Sequence, residues 1–205
     1  MKTLQELQDE NTALQQRIAE LESQRLQDSG DRQLVIILDI EHALAASFNQ
    51  QEIYEILQKG IHRLFTDIDT LLISDFDAQR GTIRAVYVFN EGTQVDVSNL
   101  PEIPLAPPGK GTQSQVIHTR QPLIIGDKLK ERFRSSTIVR LGAPGSEDCC
   151  SALYVPMLAQ EQVLGVIQLQ STVPNRFSNE DIQTLSLVAR TASRHKINQQ
   201  EGCLK

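Results

Sequence analysis

The chain has 205 residues, 40% hydrophobic and 22% charged, with a net charge of −6. That length gives one domain of ordinary size plus an extension, and the composition suits a soluble globular protein. The acidic balance speaks against general nucleic-acid or membrane-surface binding, and no apolar run approaches the length needed to span a bilayer.

Aromatic residues make up only 4% and Trp is absent, so the core must be aliphatic. The start MKTLQELQDEN is polar and acidic, unlike a signal peptide. Cys149, Cys150 and Cys203 are an odd set with two adjacent members, a poor disulfide framework, which points to a reducing cytoplasm. No CxxC or HxxxH pair suggests structural zinc.

Residues 1–30 read as a coiled-coil dimerisation helix. Leu4, Asn11, Ile18 and Arg25 fall at heptad position a, and Leu7, Leu14 and Leu21 at d. Leucine at d with a lone Asn at a favours a parallel two-stranded coil, because Asn11 meets its twin only in register. Arg17 at g and Glu22 at the next e are placed to pair between chains. The seam is only about three to four heptads long, and the rival reading is an amphipathic helix lying on its own domain.

Ser29-Gly30-Asp31 breaks the pattern, and a helix resumes from Asp31 to Ser47. Its Val35-Ile36-Ile37-Leu38 run is apolar all round, which predicts burial on both sides. One of Ile36 and Ile37 should face a partner chain and the other the home domain. Asn49 and Glu52 form a capping box for a second helix ending near Phe65, with Ile53, Ile56, Leu57, Ile61 and Leu64 inward.

Thr70–Phe76 and Thr82–Phe89 read as strands joined by Asp77-Ala78-Gln79-Arg80-Gly81. Asn99–Gly111 is rich in Pro and Gly and reads as irregular. Thr112–Thr119 reads as a short helix and Pro122–Ile125 as a short strand. Lys128–Asp148 is ambiguous, a long loop with a helical turn. Ser151–Leu158 and Val163–Gln170 read as a β-hairpin. A capped helix follows, with Ser178 at the N-cap, Asp181 at N3, and Phe177 and Ile182 as a hydrophobic staple. It closes near Asn198, leaving 199–205 as a tail. The order predicts an α+β fold, an antiparallel sheet with helices packed on one face.

Several motifs carry a resemblance. They are "VPM" and "LGVIQLQ" in the final hairpin, the turn Gly109-Lys110-Gly111, and Val116, Pro122 and Asp127. Together they make residues 31–198 resemble a GAF domain, the small-ligand sensor module of many signalling proteins. The resemblance implies a ligand hollow between sheet and loops, with the loop after Asp127 covering it. It carries no covalent bilin, since no Cys-His dipeptide exists. The Asn-Lys pair of cyclic-nucleotide members is replaced by Gln170-Ser171. A GAF-type methionine-sulfoxide reductase is the weakest alternative, because Cys149 and Cys150 are too close for an ordinary disulfide.

No catalytic constellation and no cofactor motif is found. Pro108–Thr112 lacks the spacing of a phosphate-binding loop. The cations Lys128, Lys130, Arg132, Arg134 and Arg140 stand out in an acidic chain. They read either as a solvated loop or as a lid in which Arg134 or Arg140 pairs an anion. Gln168 sits in an aliphatic strand, where a buried amide wants a partner. Gln168 and Arg134, then Tyr154, Ser151, Arg140 and Asp127, are the candidate ligand contacts, for an unknown small molecule. The expected protein is a cytoplasmic, non-catalytic homodimeric sensor that touches neither nucleic acid nor membrane. It signals through its helices to a downstream domain such as that of a sensor kinase. A ligand-free dimerisation scaffold is the alternative.

Overall fold

The computed structural model describes residues 4–47, 49–127 and 150–202. The elements are α1 (Leu4–Ala46), α2 (Gln50–Leu64), β1 (Thr70–Asp77), β2 (Thr82–Asn90), β3 (Thr93–Val95), β4 (Ile103–Pro104), α3 (Thr112–Thr119), β5 (Leu123–Ile125), β6 (Ser151–Ala159), β7 (Gln162–Ser171) and α4 (Asn179–Gly202). The strands form one antiparallel sheet in the order β3-β2-β1-β7-β6-β5, with β4 also on β2. This is the expected α+β class. Strands β3 and β4 are too short to leave a two-residue periodicity, so the sequence does not reveal them.

Alternation along the strands divides the sheet into two faces. Leu71, Ile73, Leu153, Val155, Ile167 and Leu169 face α1, α2 and α4 in the main core. Ala152, Tyr154, Val166 and Ile125 face α3, where Val116 and Ile117 join a second, smaller cluster. Helix α3 therefore covers the side that the other three helices leave open.

Helix α1 is unbroken through Gly30. A mid-helix Gly costs only about 1 kcal/mol, so the flanking turns carry the helix across the expected interruption. Ile36, Ile40 and Leu44, spaced by four, are buried against the domain. Ile36 thus belongs to the home core, and Ile37 packs beside that core half-buried. The exposed apolar side is instead Leu34, Val35 and Leu38, opposite the buried row. Gly60 of α2 lies where a Cβ would come within 2.4 Å of the Ile40 side chain, so the α1–α2 contact depends on its bare backbone.

Asn49 caps α2 by accepting from the Gln51 N–H, but Glu52 accepts from the Ser47 hydroxyl, so the expected box is only half made. The box on α4 is complete: Ser178 N–H donates to Asp181, and Asp181 N–H to Ser178 Oγ. Phe177 and Ile182 both pack on the main core. Helix α4 runs through Gly202 and does not close at residue 198. Thr184 donates to Gln33, and Arg194 pairs with Glu41 3.3 Å away. These contacts rise together in number, so α1 and α4 run side by side in the same direction.

Asn11, Leu14 and Ile18 are exposed on α1. Leu4, Leu7 and Leu21 lie on its backbone, but their side chains fall outside those described. Arg17 pairs with Glu20 of its own helix at 2.9 Å.

Candidate functional site

On the α3 face, one cross-strand row reads Leu123, Tyr154, Gln168, Leu72 and Val88, from β5 to β2. Gln168 is the only amide in it and is just 6% exposed. Its partner comes from α3. The turn at Gly109 and Gly111 adopts positive φ, which glycine tolerates, and delivers the chain to the helix start. Ser114 Oγ then accepts from Ala106 N–H, and a ring nitrogen of His118 bonds the Ala106 carbonyl at 2.8 Å, anchoring α3 to the preceding loop. Gln113, in the first turn, is thereby aimed at the sheet.

Gln113 Nε2 donates to Gln168 Oε1 at 3.0 Å, and Ser74 Oγ donates to Gln113 Oε1 at 2.9 Å. Ser74, Gln113 and Gln168 form one chain of neutral hydrogen bonds between β1, α3 and β7. Sequence reasoning expected a partner for Gln168 but missed Gln113. The available signal was its position: Gln113, Val116 and Ile117 share the inward face of α3.

Tyr154 is fully buried on this same face. Ser151 is not there. It points to the other side of the sheet, fully buried, and its hydroxyl donates to the Val173 carbonyl at 2.6 Å. Strand alternation separates it from Tyr154, so it anchors the chain leaving β7 and does not meet the other candidates. Asp127 is exposed at the end of the described segment after β5. Arg134 and Arg140, with the rest of the cation-rich loop, lie outside the described residues, as do Cys149 and Cys203. Cys150 is half-buried just before β6.

The helix side of β1 has different chemistry. Asp75, adjacent to Ser74 but facing the other way, pairs with Lys196 of α4. Nearby, Tyr54 accepts from Gln50 Nε2 at 2.8 Å. Burial, and next the charge of Asp75, push the Tyr54 phenol up to about 12. Burial likewise raises Tyr87.

A separate cleft of about 880 Å³ opens at the end of the sheet, between the β1–β2 hairpin and the β6–β7 turn. Exposed pairs Arg80–Glu102 and Arg120–Glu161 line it, and Gln168 does not. Among the described residues no His, Cys, Asp or Glu group could hold a metal, and no helix is long and apolar enough to cross a membrane.

The structure is similar to several solved ones. The GAF domain of a phosphoenolpyruvate-protein phosphotransferase from Coxiella burnetii aligns at TM-score 0.66 and 15% identity, over 85% of this chain and 98% of that one. A free methionine-R-sulfoxide reductase from Neisseria meningitidis, solved with its substrate, aligns at 0.62 and 14%, over 82% and 89%. Residues 122 to 287 of a methyl-accepting chemotaxis protein align at 0.57 and 20%, over 78% and 96%. At these identities the likeness concerns the fold. No match is found among curated proteins. The family model for the GAF domain matches residues 49–195, the whole sheet with α2, α3 and most of α4, and the chain belongs to the GAF domain family.

Proposed function

We propose that this GAF domain is a non-catalytic sensor that takes a small molecule on the α3 face of its sheet and reports through α1 and α4. The observation that carries the reading is the Ser74–Gln113–Gln168 chain. It places a nearly buried amide where a short helix, α3, meets the sheet. Buried polar groups with few apolar-framed neighbours are the usual make-up of a ligand site. Binding that favours one seating of α3 would shift the population of domain states.

The output side is a homodimer. Leu14 and Ile18 are 58% and 55% exposed, and Leu34, Val35 and Leu38 form an outward apolar side on the same helix. Val35 lies three heptads beyond Leu14, so a parallel pairing of α1 wound at the heptad period takes both, and α4 runs beside it toward a downstream domain. The cysteine usage supports a cytoplasmic setting.

Native mass spectrometry of freshly purified protein reads subunit count and retained small molecule together. Calorimetry against metabolites, with Gln168→Leu as control, then tests the site. A monomer without retained ligand, and with no Gln168-dependent binding, defeats the proposal.

The second reading is an enzyme, favoured by the reductase neighbour alone. Turnover of free methionine sulfoxide that is lost in a Cys150→Ser variant would establish it.

A further inference from the structure

We propose that the cleft at the end of the sheet binds a small organic monocarboxylate. Arg84, beside Lys196, holds its carboxylate, and its apolar body lies between the two hairpins. The site is separate from the α3 face, because Asp75 and Ser74 point to opposite sides of β1, and it does not rest on the sensor reading.

Strand register explains the cleft. β1 pairs with β7 only as far as Asp75–Gly165, whereas β1–β2 continues to Asp77–Thr82 and β6–β7 to Ala159–Gln162. The β6–β7 register skips Leu164, and such a bulge bends its strand. The two hairpins therefore diverge like a fork. The gap of about 880 Å³ has the size of a metabolite site. Phe76 and Leu164 line it from the two prongs, and Val163 and the nearly buried Ile117 extend an apolar wall.

The charges select the ligand. Glu102 is paired with Arg80, Glu161 with Arg120 and Asp75 with Lys196, while Asp77 accepts from the N–H groups of Gln79 and Arg80. Arg84 lines the same cleft and pairs with no acid among the described residues. It stands across from Asp75 in the β1–β2 register, so Asp75 has a cation on either side, Arg84 and Lys196. Burial and then Asp75 raise the nearby Tyr54 phenol and Arg84 lowers it, which puts the three groups within electrostatic reach. Two cations against one carboxylate leave one positive charge. A singly charged anion matches it and a phosphate dianion overshoots. The planar guanidinium takes a carboxylate through two parallel N–H···O bonds.

Matched probes test the site on the full chain: hexanoate with hexanamide and hexyl phosphate, and 3-phenylpropionate with its amide. Ligand-observed NMR reads affinity. The Arg84 Nε–H resonance, assigned by its loss in Arg84→Gln, reads the place. At least one carboxylate should bind at least about ten-fold tighter than its amide, shift that resonance saturably, and lose about ten-fold in Arg84→Gln. Arg84→Lys, which keeps the charge without the fork, should recover only part and replaces the Gln variant if circular dichroism shows that one unfolded. Arg190→Gln, at an exposed arginine of α4 outside the cleft, should change nothing. Undiminished binding in the Arg84 variants, an amide as tight as its acid, or no saturable Arg84 shift with either carboxylate up to about 20 mM overturns the site. Hexyl phosphate that binds tighter than hexanoate with the same Arg84 dependence overturns the ligand class.

Discussion

Lys196 of α4 reaches back to Asp75 of β1, and each side chain of the pair is only 21% exposed. Asp75 follows Ser74 directly, so one strand holds the terminal helix on one face and the Gln113 helix on the other. Two consecutive residues thus join the candidate site to the outgoing helix through a single backbone segment.

Removing one partner leaves a largely buried charge alone. Lys196→Met should lower stability by about 1–3 kcal/mol, less than for a fully buried pair because solvent still reaches a fifth of it. Adding Asp75→Asn should restore part of the loss. Urea denaturation of the two single variants and the double one measures this; strict additivity would mean that the pair carries no coupling.

Gly165 packs against β1 at its backbone. A Cβ there would lie 1.9 Å from the Ser74 carbonyl oxygen and 2.6 Å from Met157. A strand backbone cannot yield as a flexible side chain does. Gly165→Ala should cost about 3 kcal/mol or more and disturb the Ser74–Gln113 contact. A melting temperature equal to that of the parent protein would refute the close approach.

The pattern of what the sequence disclosed follows from how far each signal reaches. The β6–β7 hairpin, the Ser178–Asp181 cap and the inward face of α2 were legible because each is written within a few neighbouring residues. Ser151 and Tyr154 are alternatives on opposite faces of β6, and only the β6–β7 register, which pairs Tyr154 with Gln168, decides which of them shares the face of that amide. Which of Ile36 and Ile37 turns inward stayed open, because an all-round apolar run does not say which side its own domain claims; the structure buries Ile36. Gln113 was missed since its meaning arises only when β1, β7 and α3 meet, 39 and 55 residues apart in sequence.

Tyr54 should ionise late. Its phenol is raised to about 12, first by burial and then by Asp75. The unfolded chain loses that proton near 10, so above that pH the unfolded state holds fewer protons and stability falls. The slope is up to about 1.4 kcal/mol per pH unit between 10 and 12, and the contribution is complete below 10. Ultraviolet titration should show a late step that Tyr54→Phe removes and Asp75→Asn moves to lower pH. A Tyr54→Phe curve identical to that of the parent would reject it.

The exposed side of α1 should govern assembly. Leu38→Glu or Val35→Glu should weaken the dimer while sparing the sheet domain, whereas Ile36→Glu should unfold it, since Ile36 is core. Asn11→Leu should strengthen association and loosen its register. Sedimentation velocity across concentrations, paired with circular dichroism, separates the cases. A concentration-independent monomer for the intact chain rules the dimer out.

Because α1 is one helix from Leu4 to Ala46, residue count becomes azimuth. Each residue turns the chain by about 100°, so Leu14 and Val35, three heptads apart, stand about 60° out of phase on a straight helix and align when α1 winds at the heptad period. Inserting two residues beside Gly30 would swing the N-terminal stripe by about 200° and set the two ends of a paired α1 against each other. Inserting seven would leave it only about 20° out of phase. In a dimer paired along α1, the helix would act as a torsional shaft, its length modulo the heptad deciding how the sheet domains are oriented about the pair's axis.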